Sequence, residues 1–178
     1  MKIIHVTDTH FIPAGQTLYG RDPATALERC IADINRNHPD AERCVITGDL
    51  THWGEPEAFD HLKQHLDQLK VPLRLLVGNH DNRDIFRQRF GDHPCDENGF
   101  IQSVEDLPVG RFIYLDTNKP GHHEGWYCEQ RMQWLEEQFA AAKGKDLYLF
   151  MHHPPFDIGI PALDRISLVQ KAAFSEVV

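Results

Sequence analysis

Four short clusters in this chain carry side chains able to ligate metal ions or move protons: Asp8-Thr9-His10, Gly48-Asp49, Gly78-Asn79-His80-Asp81 and His152-His153-Pro154. Asp8 and His10 lie two apart; on an extended segment such residues point the same way, so the pair can clasp one ion. Asp49 has two carboxylate oxygens and can bridge two ions about 3.5–4 Å apart. The Asn79 carbonyl oxygen and the His152 imidazole can hold the second ion. Mixed oxygen and nitrogen donors suit Fe, Mn, Zn or Co rather than calcium or a thiolate-seeking metal. Glycines 48 and 78 would let the backbone turn sharply just before each ligand. Two ions at that spacing polarise a phosphoryl oxygen, lower the pKa of a water between them and stabilise a leaving oxygen.

These clusters matter only if the fold gathers them, and the hydrophobic pattern says that it does. Lys2–Thr7, Arg43–Thr47, Val71–Val77 and Asp146–Met151 are short apolar runs that read as buried strands, and each delivers one polar cluster at its carboxyl end. Phe100–Val104 and Arg111–Asp116 read as two further strands joined through a Pro-Gly turn. Between the strands, helices are expected from Pro23 to about Asn37, from Pro56, over Arg83–Phe90, over Glu129–Ala142 and from Asp164. Asp22-Pro23 has the form of a cap followed by proline at the first helical position, and His38-Pro39 stops that helix. Alternating strands and helices make an α/β architecture. In open α/β sheets, ligands bind outside the carboxyl ends of the strands.

Composition narrows the function. The chain has 178 residues, 18 Lys+Arg against 27 Asp+Glu for a net charge of −9, and 12 histidines. That length suits a single domain, residues 1–178. The negative charge and the lack of a basic stripe argue against a nucleic-acid polymer as partner. No stretch is apolar for long enough to span a membrane. The N-terminus turns polar too soon for a signal peptide. Cys30, Cys44, Cys95 and Cys128 match neither a zinc-finger spacing nor a disulfide framework, so a cytoplasmic chain with reduced thiols is expected.

Taken together, Asp8-x-His10, Gly48-Asp49, Gly78-Asn79-His80-Asp81 and His152-His153-Pro154-Pro155 resemble the signature of the calcineurin-like metallophosphoesterases. The resemblance covers nearly the whole chain. His5–Phe11, Leu18-Tyr19-Gly20, Gly125-Trp126 and Met151–Pro155 are similar to the bacterial branch holding glycerophosphodiesterases and class III cyclic-nucleotide phosphodiesterases. The resemblance implies a two-sheet sandwich flanked by helices. It implies two divalent transition metal ions, one on Asp8, His10 and Asp49, the other on Asp49, Asn79 and His152. The choice of His152 over His153 rests on it. His80 would contact the phosphate and assist the leaving group. The implied reaction is hydrolysis of a small phosphodiester, a glycerophosphodiester or a cyclic nucleotide, by a metal-bridged hydroxide. A phosphomonoesterase and a non-catalytic binding module are the alternatives, and a homo-oligomer is left open.

The family's last motif, Gly-His-x-His, has no counterpart, since no histidine follows His153. The C-terminal part of the sandwich is therefore expected to be missing. The natural protein is expected to extend beyond Val178 with a strand and that motif, because Ile166–Val178 reads as a helix-like apolar stretch with no partner strand to pack on. Of the remaining residues, Asp81 is expected to orient a histidine from behind the ligands, and His153 to support the site or touch substrate. His122 and His123 read as a solvated loop. His38, His52, His61, His65 and His93 read as surface or helix positions, with His52 close to Asp49. Trp126, Trp134 and Phe139 read as core.

Overall fold

In the computed structural model, which describes residues 1–178, six strands form two three-stranded sheets. In the first, β1 (Ile3–Val6), β2 (Arg43–Ile46) and β3 (Leu73–Leu75) lie side by side and all parallel. In the second, β4 (Ser103–Leu107) pairs antiparallel with β5 (Gly110–Tyr114), which pairs parallel with β6 (Leu147–Phe150).

Alternation along the strands separates the layers. Cys44 and Ile46 of β2 join the large core beneath α1 (Pro23–Asn37), α2 (Pro56–Leu66) and α3 (Arg83–Arg89). Val45, pointing the opposite way, packs with Leu76, Phe112 and Tyr114 in the seam between the sheets. Ile113 and Leu115 face outward onto α4 (Glu129–Ala141) and α6 (Lys171–Val177), with Leu135 and Phe174. The result is two sheets face to face with a helical layer on each outer side. At the rim of the seam, Arg43 of β2 donates to the Glu105 carboxylate of β4, with Nε at 2.8 Å. Helix α1 begins as its sequence demands: Asp22 accepts from the Ala24 amide at 3.0 Å, and Pro23 occupies the first turn. No helix is long and apolar enough to cross a membrane.

Four expectations are corrected. The strand expected over Phe100–Val104 runs instead from Ser103 to Leu107, because the Ile101 amide is taken by the Asp116 carboxylate at 2.9 Å rather than by a ladder. No helix starts at Asp164. A short α5 (Pro161–Asp164) ends there, and α6 begins at Lys171. Between them the backbone runs alongside Gly125, with bonds from Gly125 N to Ser167 O and from Val169 N to Gly125 O. The last stretch does pack on a sheet: Phe174 joins Ile113 of β5 in the outer core and meets Tyr127 edge-on, 5.7 Å between ring centroids. Trp134 and Phe139, half-buried, pack against the outer core as expected, whereas Trp126 is half-buried and outside it. Tyr127 fills the core position instead, and the Trp126 ring carries Lys119 over its face at 3.9 Å.

Candidate metal centre

Because β1, β2 and β3 run parallel, the segments after them emerge at one edge. There the chain leaves extended geometry: Asp8, His10 and Asp49 have φ of 58°, 44° and 47°. The sequence reading placed Asp8 and His10 on an extended segment, and this is corrected. Both residues sit in the left-handed region, which costs a non-glycine residue about 1 kcal/mol or more. A backbone ladder holds them there, from Asp8 N to Gly48 O (3.1 Å) and from His10 N to Asp49 O (2.9 Å). Gly48, at φ +114°, does make the turn expected of it. Gly78 is needed for a different reason. A Cβ on it would lie 2.2 Å from Asp49 Oδ1 and 2.9 Å from His152 Nε2, so only glycine lets the two loops meet.

The donor atoms then fall into two groups that share Asp49. His10 Nε2 lies 3.6 Å from Asp8 Oδ1 and 3.7 Å from Asp49 Oδ2. His152 Nε2 lies 3.4 Å from Asp49 Oδ1 and 3.3 Å from Asn79 Oδ1. Two donors each about 2.1 Å from one ion at a tetrahedral angle are about 3.4 Å apart, so these separations fit ligation of a metal such as zinc. The tautomers fit too: His152 Nδ1 donates to Thr47 O at 3.1 Å, which leaves Nε2 with its lone pair free. Asp8 is held down at about 2 by its contact with His10, whose own pKa is raised by Asp8 in turn.

The adjoining cleft, about 410 Å3, is lined by Asp8, Asp49, Asn79 and His152 together with His80, His123 and His153, and by an apolar wall of Ile158, Leu163 and Ile166. It contains two carboxylates and no lysine or arginine. An anionic ligand would meet only negative fixed charge here unless cations came with it.

Residues 1–172 match the Calcineurin-like phosphoesterase family. The chain belongs to that family. It is 43% identical to a probable cyclic nucleotide phosphodiesterase of Rhodopseudomonas palustris, over 100% of this chain and 66% of the relative. It is 36% identical to a probable glycerophosphodiester phosphodiesterase of Arcobacter nitrofigilis, over 92% of this chain and 61% of the relative. The chain thus spans somewhat under two thirds of the length of these relatives. In architecture it is similar to the purple acid phosphatase of yellow lupin seeds, with a TM-score of 0.62 at 16% identity over 86% of this chain and 30% of that one.

Around the donor groups of this phosphoesterase-family chain, further side chains fix the loops. Asp81, wholly buried, was expected to orient a histidine, and it does not. Its carboxylate accepts from the amides of Leu50, Thr51 and Gly78 at 3.0, 2.8 and 2.9 Å, stitching the second loop to the third. Burial raises its pKa to about 6 against the pull of those amides. Asn118 donates to Gly78 O at 2.6 Å and to Asp81 O at 3.2 Å. His153 is buried, accepts from Thr117 Oγ1 at 2.7 Å and donates to His123 O at 3.2 Å; burial lowers its pKa to about 3, so it is neutral. His80 donates its backbone N–H to Asp49 Oδ1 (3.0 Å) and its Nδ1–H to His52 O (2.7 Å).

One histidine departs from the sequence reading. His52 is buried, stacks on His80 at 4.9 Å and approaches His10 Nδ1 at 3.2 Å with its own Nδ1. His10, His52 and His80 form a second group of close-lying imidazoles beside Asp8, Asp49 and His152. His123, exposed in its loop as expected, also reaches the Asn79 amide at 3.4 Å and lines the cleft, and His122 pairs with Glu124 in the same loop. Asp116-Thr117-Asn118, at the carboxyl end of β5, could have been found by the same strand-end rule that found the others.

Proposed function

We propose that this chain hydrolyses small phosphodiesters with two divalent transition metal ions, Fe, Mn, Zn or Co, held by Asp8, His10 and Asp49 on one side and by Asp49, Asn79 and His152 on the other. The observation that carries the reading is the division of one carboxylate: Asp49 Oδ2 faces His10 and Oδ1 faces His152. When bound, such a pair of ions supplies Lewis acidity toward phosphoryl oxygens and acidifies the water between them. His80, anchored through Nδ1–H on His52 O, keeps Nε2 to carry a proton to the leaving oxygen. His153, held neutral by burial, fixes the His123 loop over the cleft. The acidic chain and its cation-free cleft favour a small diester over a polymer, in keeping with relatives named for cyclic nucleotides and glycerophosphodiesters.

The test is elemental analysis of protein loaded with Mn2+, together with hydrolysis of bis(p-nitrophenyl) phosphate. Two ions per chain with turnover are expected for the native sequence, and loss of both for Asp49→Ala. A folded Asp49→Ala protein with near-native turnover refutes the reading, and a native protein that takes up no metal supports a binding module instead.

A further inference from the structure

The ladder that joins β1 to β2 continues past the last strand residues. His10 N donates to Asp49 O (2.9 Å), Phe11 N to Leu50 O (2.9 Å) and His52 N to Phe11 O (2.8 Å), with Phe11 and Thr51 paired in parallel. Behind this extension the Asp81 carboxylate takes the amides of Leu50 and Thr51. The same backbone bonds therefore fix His10 and His52 relative to each other. They bring the two rings together at an edge, Nδ1 to Nδ1 at 3.2 Å.

The arrangement leaves something unsatisfied. His52 is 6% exposed, and its Nε2 is buried without a partner. A buried nitrogen that makes no hydrogen bond keeps the full cost of its desolvation. An apolar side chain of similar size would serve packing better at this position. What the imidazole adds is its other nitrogen.

Two simple requirements place the protons. An imidazole that ligates through Nε2 carries its proton on Nδ1, so His10 in the proposed ligand set turns an N–H toward His52. His52, buried and in hydrogen-bond contact with no carboxylate, is neutral and has one lone pair to offer. It meets the His10 N–H with Nδ1 and keeps its own proton on the orphaned Nε2. On its other side, the His52 carbonyl oxygen lies 2.7 Å from His80 Nδ1. A carbonyl can only accept, so the proton of neutral His80 is also on Nδ1.

We propose that His52 is a positioning residue that sets the ring proton of both working imidazoles, of His10 through its side chain and of His80 through its main chain. This deepens the proposed function and rests on its ligand set. The two hydrogen bonds leave from different parts of one residue, so a side-chain substitution removes only the one to His10.

The test is Mn2+ affinity by calorimetry on the native chain, His52→Leu and His52→Asn, together with their melting temperatures in excess chelator. A hydrogen bond behind a metal-ligating histidine is worth about 10- to 100-fold in affinity. His52→Leu fills the space and offers no acceptor. It is expected to lose that much affinity, while its melting temperature without metal stays at or above the native value, because the orphaned nitrogen is gone. His52→Asn places Oδ1 where Nδ1 stood and is expected to recover most of the loss. If His52→Leu does not fold, His52→Ala takes its place in the same comparison. Affinity that survives removal of the imidazole overturns the inference and spares the metal centre, and so does a loss that His52→Asn shares in full. A native chain that takes up no Mn2+ overturns the reading of the metal centre and this inference with it.

Discussion

Gly78→Ala probes how closely two loops approach at a single residue. The added methyl would meet the Asp49 carboxylate and the His152 ring below contact distance, so one of the loops must retreat. A donor set tolerates displacement of only about 0.5 Å. Mn2+ affinity, measured by calorimetry, is expected to fall at least tenfold while the circular dichroism spectrum stays native; unchanged affinity would mean that the loops are pliant. His80→Ala is expected to keep its metal and lose about 10²–10⁴-fold in turnover, less for bis(p-nitrophenyl) phosphate than for an alkyl diester whose leaving oxygen needs a proton. An equal loss on both diesters removes the acid role. Much at this scale was legible in the sequence, because Asp8, His10, Asp49, Asn79, His80 and His152 each stand directly after a strand. His52 and His123 were less so. His52 follows Asp49 by three residues and its burial depends on Trp53 and His80 packing around it, whereas His123 is brought to Asn79 only by tertiary structure.

Among the elements, β3 and the segment after α3 meet through His93, whose Nε2 accepts from the Leu75 amide at 3.1 Å while Nδ1 donates to Pro94 O at 3.1 Å. Burial lowers its pKa from 6.5 to about 4. The unfolded chain therefore binds the proton first as pH falls. The contribution of His93 is whole above about pH 6.5 and is lost progressively down to about pH 4, at most about 3 kcal/mol. Urea unfolding at pH 7 and pH 4.5 is expected to give a smaller difference in stability for His93→Asn than for the native chain; an identical difference shows that His93 does not titrate between those pH values. Strands and long helices were legible because cap, proline and apolar spacing agreed, as at Asp22-Pro23. The boundaries that failed were decided from far away. Asp116 drew Ile101 off the ladder, and Gly125 drew residues 167–169 into a bridge where apolar spacing alone suggested a helix.

Over the whole molecule, Asp8 and Asp49 bring like charges together with Asp81 buried behind them. Ions that bind only the folded state add stability by mass action, about 2.7 kcal/mol at a hundredfold excess over Kd. Mn2+ is expected to raise the melting temperature by several degrees, a chelator to reverse the rise, and Asp49→Ala to abolish it; a rise that persists in Asp49→Ala places the binding elsewhere. The sheets are also joined by Arg43 and Glu105, with Arg74 at 3.5 Å from the same carboxylate. Glu105→Gln leaves two guanidinium groups facing a neutral amide, and is expected to cost about 1–3 kcal/mol in chemical denaturation. A loss below 0.5 kcal/mol would mean that the apolar seam alone holds the sheets.

The division of Asp49 between two imidazoles has a bearing on synthesis. Asp8, His10 and Asp49 leave the ribosome early, and the ladder joining their loops needs only β1 and β2. His152 comes about a hundred residues later, on the far sheet, and meets Asp49 only after the sandwich has closed. On the proposed ligand set, a nascent chain would have the means to hold one ion long before it could hold two. The second ion would then report that the two sheets had docked.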